Sequence, residues 1–373
     1  MGEQRTIVVI GAGIIGLATA IRLLDTLDPS QYRIAIVAQE WPTSIPGAPI
    51  EHSVNYASMW AGAHVRPIPA STPQLKREAA WLKQTIGVFR EQVEKLSMIG
   101  VTKCKGIELL EAPPKDYAAQ TKESFTAESG LPKYRRLDGS ELPEGVKIGY
   151  EYETYCLHAP VYCASLLRSF IVRGGKCLKR QLSNIWEAYS LFEDVELVVN
   201  ASGAGFGDPK YFPTRGQTVL TDLTGVSDTV TLQKADGSWS FFIPRFFDGG
   251  TVIGGTKQPG DWSSTPDLAT RQTLLDNASK IAPSALPASQ TVQGARVIAD
   301  IVGRRPTREG GMRIEVEHAK FGSSGHSRGE QVVHAYGAGG RGFEISWGVA
   351  AEVAKLAKDT LTAETPRSVR AKL

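Results

Sequence analysis

The sequence has few cysteines and histidines and lacks the spacings that metal ions need. It holds four cysteines, at Cys104, Cys156, Cys163 and Cys177, and six histidines in 373 residues. No two cysteines form a C-x-x-C pair and no histidine cluster stands beside them, so no metal site is predicted. Free thiols in a reducing compartment are the expected state of the cysteines, and a paired state is the alternative that stays open.

Strong charge and long uncharged runs are missing as well. The formal net charge is +3, which predicts neither nucleic acid nor an anionic membrane as a partner. The uncharged run from Ile7 to Ile21 is shorter than the ~20 residues of a membrane span, and glycines interrupt it. Met1–Arg5 is polar, so no secretory signal is predicted. With 42% hydrophobic and 22% charged residues, the composition is typical of a soluble globular protein.

What the sequence does contain is a strand, a glycine turn and a helix close to the N-terminus. The β-branched run Thr6–Ile10 precedes Gly11, Gly13 and Gly16 in the order G-x-G-x-x-G, and a helical pattern continues to Asp25. Glycines at this spacing allow a tight turn, a close approach of backbone N–H groups to a pyrophosphate, and close packing of helix on strand. With a second strand at Arg33–Val37, this context predicts a dinucleotide site at the helix N-terminus.

The end of the second strand narrows the choice of nucleotide. Gln39 and Glu40 stand where an acidic residue usually holds a ribose hydroxyl, and either can accept that hydrogen bond. No arginine or lysine is present here to hold a 2′-phosphate, so NADP is not expected, and FAD and NAD both stay open.

Two further glycine-rich turns follow predicted strands. The strand Leu197–Asn200 leads into Ala201–Gly205, and the strand Val332–Tyr336 leads into Gly337–Gly342. Nucleotide-binding elements therefore come from both ends and the middle of the chain, which predicts a second domain interleaved with the first. The other predicted elements are helices at Gln74–Leu96, Tyr162–Val172, Thr270–Ile281 and Ser346–Leu361, strands and loops over Lys103–Ile148, and a β-rich stretch Thr218–Ile253 with a polar, flap-like insert at Thr231–Ser240.

The final tripeptide, Ala371-Lys372-Leu373, is a small–basic–leucine sequence like the S-K-L peroxisomal address. It predicts a peroxisomal matrix protein with the import receptor as a partner. The loop His318–Glu330 fits a homodimer contact as well as a plain surface loop, and the oligomeric state stays open.

Taken together, the glycine turns and several other segments resemble the FAD-dependent D-amino-acid oxidase family, in its fungal form. The matching segments are IVVIGAGIIGL at 7–17, WAGAHVRP at 60–67, VVNASGAG at 198–205, FPTRGQ at 212–217, FFIPR at 241–245, GGTKQPGDW at 254–262, GRRPTR at 303–308 and HAYGAGGRGFEISWG at 334–348. The resemblance implies an α/β fold, in which a Rossmann-like FAD-binding domain (1–75, 155–210 and 300–361) is interleaved with a mainly antiparallel β-sheet substrate domain (76–154 and 211–299), followed by the tail 362–373.

The resemblance also implies a reaction, in which a D-amino acid loses a hydride from Cα to flavin N5 and O2 reoxidises the flavin with release of hydrogen peroxide. Arg305 matches the family's carboxylate-binding arginine, whose planar guanidinium holds a carboxylate through two bonds. Gly340 matches the position whose carbonyl accepts from the substrate amine. Arg304 is expected to be a surface or structural residue. The cofactor contacts implied are Gly11, Ala12, Gly13, Ile14, Ile15, Gly16, Gln39, Glu40, Ser44, Ala61, Gly62, Ala63, His64, Leu182, Ser202, Gly203, Arg305, Gly339, Gly340, Arg341, Gly342, Phe343 and Glu344.

Substrate choice is less strongly indicated. Phe241 stands where the family usually has a tyrosine, so one hydroxyl to the substrate carboxylate is missing. D-aspartate oxidases of the family carry an arginine in the motif GGT-Arg-Q and another in the flap, and here these positions hold Lys257 and Lys234. We therefore expect acidic D-amino acids, D-aspartate and D-glutamate, as substrates. Trp239 is a lid or a packing residue.

Other interpretations stay open at this point. Lys257 could be a solvated strand-end residue, and neutral or basic D-amino acids would then be the substrates. Glu344 could pair with Lys257 or repel an acidic substrate, and Arg341 is a further candidate contact. A glycine or secondary-amine oxidase on the same scaffold, an NAD-dependent dehydrogenase and a cofactor-binding protein without turnover are the rival functions.

Overall fold

A computed structural model describes residues 4–43, 51–97, 99–319 and 330–363. Its helices are α1 (Ile14–Thr26), α2 (Ala57–Trp60), α3 (Pro73–Lys95), α4 (Lys115–Ala119), α5 (Lys122–Ser129), α6 (Ala159–Val172), α7 (Leu268–Ile281) and α8 (Gly342–Ala363). Its strands are β1 (Arg5–Ile10), β2 (Tyr32–Ala38), β3 (Val101–Leu110), β4 (Arg135–Arg136), β5 (Ile148–Leu157), β6 (Lys176–Lys179), β7 (Val195–Asn200), β8 (Tyr211–Thr221), β9 (Thr229–Gln233), β10 (Trp239–Pro244), β11 (Thr251–Gly254), β12 (Gln258–Pro259), β13 (Val297–Arg308), β14 (Val316–His318) and β15 (Gln331–His334).

The first sheet is mostly parallel and has the strand order β14-β15-β7-β1-β2-β6. Strand β1 is central, and Ile7, Val8 and Val9 are fully buried because side chains pack on both faces. Helices α1 and α8 cover one face, and α3 packs on α8, where Trp81 Nε1 donates to Glu352 at 2.6 Å. This layering is a Rossmann-like arrangement, as the sequence predicts.

The second sheet has nine strands in the order β12-β8-β11-β10-β9-β3-β5-β4, with β13 added along β8. All its pairings are antiparallel except that of β3 with β9. One side, the helix face, packs on α7, and Phe242 belongs to that core. Because side chains alternate along a strand, Phe241 and Ile243 lie on the opposite side, here called the inner face. The prediction of a mainly antiparallel sheet is confirmed.

Several local predictions differ from the structure. Helices α4 and α5 lie within a stretch predicted as strands and loops. The flap-like insert consists of the end of β9, the start of β10 and the turn between them, in which Lys234 N donates to Ser238 O at 2.9 Å. The predicted domain boundaries also differ from the sheets. Most of α3 is expected in the substrate domain, but the helix packs on α8, and most of β13 is expected in the FAD-binding domain, but the strand belongs to the antiparallel sheet. In the parts of the chain that the structure describes, no helix combines the length and apolar character that a membrane span requires.

Candidate active site

The first glycine turn forms a cradle of bare backbone at the start of α1. Gly11 has a φ of +104°, and a Cβ there would lie 2.5 Å from the carbonyl oxygen of Ala201. A Cβ on Gly16 would lie 2.0 Å from the carbonyl oxygen of Gly11, so helix and strand touch through backbone alone. Gly13 precedes α1 without a side-chain cap. Ile14 N donates to Ser58 Oγ at 3.0 Å, so the following N–H groups of this turn and the positive dipole end of α1 are offered to a pyrophosphate.

The other two glycine turns meet the first at the same edge of the parallel sheet. Ala201 N donates to Ile10 O at 2.9 Å, and Gly337 N donates to Gly203 O at 3.0 Å. A Cβ on Gly342, at the start of α8, would lie 3.4 Å from Ile14 at the start of α1. The structure therefore brings together most of the predicted cofactor residues, namely 11–16, 202–203 and 339–344. Two helix starts and three glycine-rich turns at one edge fit a long dinucleotide such as FAD.

The predicted ribose contacts lie at the end of β2. Glu40 accepts hydrogen bonds from Ser53, at 2.8 Å from its N–H and 2.6 Å from its hydroxyl, so this carboxylate is already held in place. Gln39 is exposed at the same strand end. Leu182 packs against the core under β1 and β2, close to this edge. Ser44 lies outside the described residues.

The backbone of the predicted flavin-facing segment Ala61–His64 runs beside β5 and is hydrogen-bonded to it. Leu157 N donates to Ala63 O at 2.7 Å, and a Cβ on Gly62 would lie 2.9 Å from Ile243. His64 Nδ1 lies 2.7 Å from the Thr229 hydroxyl. Burial, with a smaller contribution from Arg66, lowers the pKa of His64 to about 3, so this imidazole is neutral at physiological pH. The segment therefore packs against the main core through Ala61 and Ala63 and against Ile243 of the inner face through Gly62.

Arg305 is the chemically distinctive residue of the inner face. It lies on β13, its guanidinium covers Gly216 of β8, and its Nη1 donates to Thr256 O at 3.1 Å. Burial lowers the pKa of this arginine. Within the described residues no carboxylate lies within ion-pair distance of it. A desolvated guanidinium without a counter-charge is costly, so it is suited to receive a carboxylate from a ligand.

Gly340 and Phe241 lie beside this guanidinium. A Cβ on Gly340 would lie 3.3 Å from Arg305 Cδ, and among the described residues no backbone N–H donates to the Gly340 carbonyl. The tip of the Phe241 ring lies against Gly254 and Gly255, directly before the Thr256 carbonyl that Arg305 binds. The structure therefore groups a cation, an apolar ring and an available carbonyl at one place on the inner face.

Arg304, the neighbour of Arg305 on β13, points the other way. Its guanidinium donates to Asn55 Oδ1 at 3.1 Å and to the Trp262 carbonyl, and it lies 5.5 Å from the Trp262 ring centroid. Alternation along the strand separates the two arginines, which agrees with the structural role predicted for Arg304.

The two lysines predicted to contact an acidic side chain are placed differently. Lys257 is exposed and follows Thr256 directly, so it stands one residue from the carbonyl that Arg305 binds. Lys234 lies on the helix face, where its Nζ donates to Asn277 of α7 at 3.2 Å. The prediction that Lys234 contacts substrate is therefore wrong, because the strand pleat turns it away from Phe241.

Arg341 and Glu344 form ion pairs rather than free substrate contacts. Arg341 binds Glu344, and its Nη1 lies 2.5 Å from Glu78 Oε2. Glu344 also accepts from the backbone N–H of Arg66 at 2.9 Å. The expectation that Glu344 pairs with Lys257 or that Arg341 offers a free cation is therefore corrected, since each charge is already compensated.

Sequence reasoning missed a second buried charge pair on the inner face. Arg66 binds both carboxylate oxygens of Glu108, at 3.0 and 2.9 Å, and its guanidinium lies 4.6 Å from the ring centroid of Trp239. Although burial opposes it, the Glu108 carboxylate raises the pKa of Arg66, so the guanidinium stays charged. Trp239 is therefore held as a packing partner of Arg66. The only sequence signal was Arg66 in the segment WAGAHVRP.

Comparison with curated proteins finds oxidases of D-amino acids. The chain is 44% identical to a D-aspartate oxidase of Talaromyces thermophilus over 366 residues, covering 94% of each chain. It is 31% identical to a D-amino-acid oxidase of Schizosaccharomyces pombe, covering 95% of this chain and 97% of that one.

Solved structures and a family profile agree with the fold described above. A glycine oxidase from Bacillus cereus superposes with a TM-score of 0.67 at 17% identity, covering 95% of each chain, and an L-proline dehydrogenase from P. horikoshii gives the same score at 16% identity, covering 96% of this chain and 95% of that one. At such identities the likeness concerns the fold alone. The profile of FAD dependent oxidoreductases matches residues 6–356, which include all three glycine turns and the Arg305 strand. With that cradle fitted to a dinucleotide, the chain belongs to the FAD dependent oxidoreductase family.

Proposed function

We propose that this protein oxidises D-amino acids with an acidic side chain, D-aspartate first among them. The observation that carries the proposal is the uncompensated, desolvated guanidinium of Arg305 on the inner face. A 2-amino acid supplies the planar carboxylate that such a group binds through two parallel hydrogen bonds. Sequence identities of 44% to a D-aspartate oxidase and 31% to a D-amino-acid oxidase, across almost the whole chain, support D-amino acids as the substrates.

The residues around Arg305 assign the remaining parts of the substrate. The Gly340 carbonyl accepts a hydrogen bond from the amino group, while the Phe241 ring supplies an apolar wall. Held at its carboxylate and its amine, the substrate presents one face of Cα in a fixed orientation. Bound FAD would supply the redox chemistry, as the acceptor of a hydride and the route for its electrons to O2, with hydrogen peroxide as the product.

The buried glutamates of this region, Glu108 and Glu344, are not free to act as a base toward the substrate. On the inner face Glu108 is bound by Arg66, and Glu344 is bound by Arg341 and by the Arg66 N–H. His64 is neutral but hydrogen-bonded to Thr229. The chain's contribution is therefore orientation of a substrate whose amine arrives unprotonated, rather than removal of a proton by a side chain.

Lys257 carries the preference for an acidic side chain. It is exposed, adjacent in sequence to Thr256, and within the described residues no carboxylate forms an ion pair with it. An ammonium group in this position can attract a second carboxylate, although more loosely than the paired nitrogens of an arginine. Lys234 contributes nothing here, because it is bonded on the helix face.

The test is peroxide release from D-aspartate, D-glutamate, D-alanine, glycine and sarcosine by the parent enzyme and by Lys257→Ala. We expect Lys257→Ala to lower kcat/KM for D-aspartate by about 10-fold, as for one lost charge-assisted bond, and to change that for D-alanine little. Lys234→Ala is the matched control and should leave the ratio of the two substrates unchanged. Equal losses for both substrates in Lys257→Ala would refute the acidic preference.

The peroxisomal matrix is proposed as the location, on the basis of the terminal Ala371-Lys372-Leu373 and of a peroxide-forming reaction. These three residues lie outside the described part of the chain. A fluorescent protein carrying the last twelve residues should enter peroxisomes, and the same fusion without Leu373 should stay in the cytosol. Cytosolic fluorescence from both fusions would contradict this location.

A further inference from the structure

Two of the four cysteines lie side by side in the antiparallel sheet. Cys104 of β3 and Cys156 of β5 have their sulfur atoms 3.4 Å apart, and both are free thiols. In the strand register Cys104 pairs with Thr154 and Thr102 pairs with Cys156, so the two cysteines are diagonal neighbours on one face. No other pair of the four cysteines, all of which lie in the described residues, is in such contact.

The pair lies on the inner face, beside the apolar wall of the candidate active site. Cys156 is fully buried in a small apolar cluster with Ile243 and Val252, against which Cys104 and Phe241 also pack. Cys156 also forms an isolated backbone bridge with His64. Cys104 is only half-buried. Cys104 is therefore the more exposed residue of the pair, and Cys156 lies beside it in the core.

We propose that Cys104 and Cys156 form a disulfide when hydrogen peroxide reaches Cys104, so that the enzyme's own product modifies the sheet beside its active site. The claim that peroxide made by the enzyme forms the disulfide rests on the proposed function. The claim that added hydrogen peroxide forms it depends only on the two thiols and their positions.

The reaction balances without any further reagent. The Cys104 sulfur attacks one oxygen of the peroxide, the O–O bond breaks, and the leaving hydroxide takes the thiol proton to become water. The Cys156 sulfur then attacks the sulfenic sulfur of Cys104, the S–O bond breaks, and the leaving oxygen departs as a second water with the Cys156 proton. Two thiols lose two electrons and two protons, and one peroxide is reduced to two waters.

The local structure allows the small movement that bond formation needs. The sulfurs must approach from 3.4 Å to the ~2.05 Å of a disulfide. Strand β9 pairs with β3 only from Gly106 onward, so Cys104 lies on a part of β3 that β9 does not hold. Burial raises the pKa of Cys156, which assigns the first attack to the more accessible Cys104.

The other two cysteines provide internal controls. Cys163 is buried in the main core, and Cys177 is exposed on β6. Neither has a thiol neighbour within the described residues. Peroxide should therefore leave Cys163 unchanged and convert Cys177 only to oxygen-bearing forms, without an intramolecular link.

The experiment treats the FAD-loaded enzyme with reagent hydrogen peroxide and, separately, with D-aspartate in air, with and without catalase. Peptide mass spectrometry under non-reducing conditions should show a link between the Cys104 and Cys156 peptides and a loss of two hydrogen atoms, reversed by dithiothreitol. The link should be absent in Cys104→Ser and in Cys156→Ala, and retained in Cys163→Ser and Cys177→Ser. The half-buried Cys104→Ser keeps the test decisive if Cys156→Ala does not fold.

The outcomes separate the two parts of the proposal. Oxygen atoms on Cys104 without a link, after reagent peroxide, would overturn the disulfide. A link with reagent peroxide but none during measured peroxide release would overturn modification by the enzyme's own product. If no D-amino acid yields peroxide, the proposed function fails, while the reagent-peroxide arm still decides whether the thiols link.

Discussion

Replacing Arg305 by lysine tests the central physical claim, that a planar guanidinium holds the substrate carboxylate through two bonds. Lysine keeps the positive charge but offers a single contact point on a flexible stem. A hydrogen bond to a charged group contributes about 1.5–3 kcal/mol. Arg305→Lys should therefore lower kcat/KM by about 10- to 150-fold, and Arg305→Ala, which loses both bonds, by on the order of 10²- to 10⁴-fold.

The structure also predicts what Arg305→Ala leaves intact. The side chain makes no ion pair with the described residues and donates one hydrogen bond, to Thr256 O at 3.1 Å. Losing that bond costs about 1 kcal/mol, and removing an uncompensated, half-buried charge offsets this cost. The melting temperature should not fall, and the flavin absorbance of the purified protein should be unchanged.

Arg304→Lys is the matched control, because it makes the same chemical change one residue away on the opposite side of β13. Its guanidinium contacts Asn55 and Trp262 rather than the inner face. Steady-state kinetics with D-aspartate should show little change in kcat/KM for this variant. Comparable losses in Arg304→Lys and Arg305→Lys would refute the assignment of the carboxylate clamp.

Two further predictions follow from the same site. Phe241→Tyr should lower KM for D-aspartate by roughly 10-fold or more, since its added hydroxyl can donate to the carboxylate beside Arg305; Phe242→Tyr, on the helix face, should lower the melting temperature and leave KM unimproved. Burial and, to a smaller extent, the charge of Arg245 lower the pKa of His158 to about 4. Below about pH 6.5 the unfolded chain therefore binds more protons than the folded one, and the free energy of unfolding falls as the pH drops from there toward 4. His158→Gln should reduce the loss of unfolding free energy between pH 7 and 5 by about 2 kcal/mol in denaturant titrations, and an unchanged pH dependence would contradict it.

The elements that the sequence predicts well are those specified by local patterns. The strand β1, the turn Gly11–Gly16 and the helix α1 follow one another within about twenty residues, and each has its own signal in hydrophobic periodicity or glycine spacing. The same holds for the strands that lead into the second and third glycine turns. Their meeting at one sheet edge follows from parallel strand order, because parallel strands end on the same side.

The prediction for Lys234 depended on which face of a strand its side chain occupies, and local patterns do not specify that face. The family resemblance implies a cation in the flap, where this chain has Lys234, yet a side chain's face changes with each residue along a strand. Once β9 extends to Gln233, whose amide reaches Glu108 on the inner face, the next residue must turn toward α7. The polar character of the stretch came from its turn and gave no information about the pleat.

The paired charges of the inner face could not be predicted, because their partners lie far apart in the chain. Arg66 and Glu108 belong to different segments, as do Arg341 and Glu78, and nothing local indicates that they meet. These paired arginines differ from Arg305 in their electrostatic surroundings. In a region from which water is largely excluded, two arginines are neutralised by carboxylates, whereas Arg305 is left without one among the described residues. Arg245 is also buried without a carboxylate partner among the described residues, and its Nε and Nη2 have no hydrogen-bond partner there, so the lack of a counter-charge does not by itself mark a substrate site. What distinguishes Arg305 is its place beside Gly340 and Phe241, where a substrate carboxylate is the anion that the site favours.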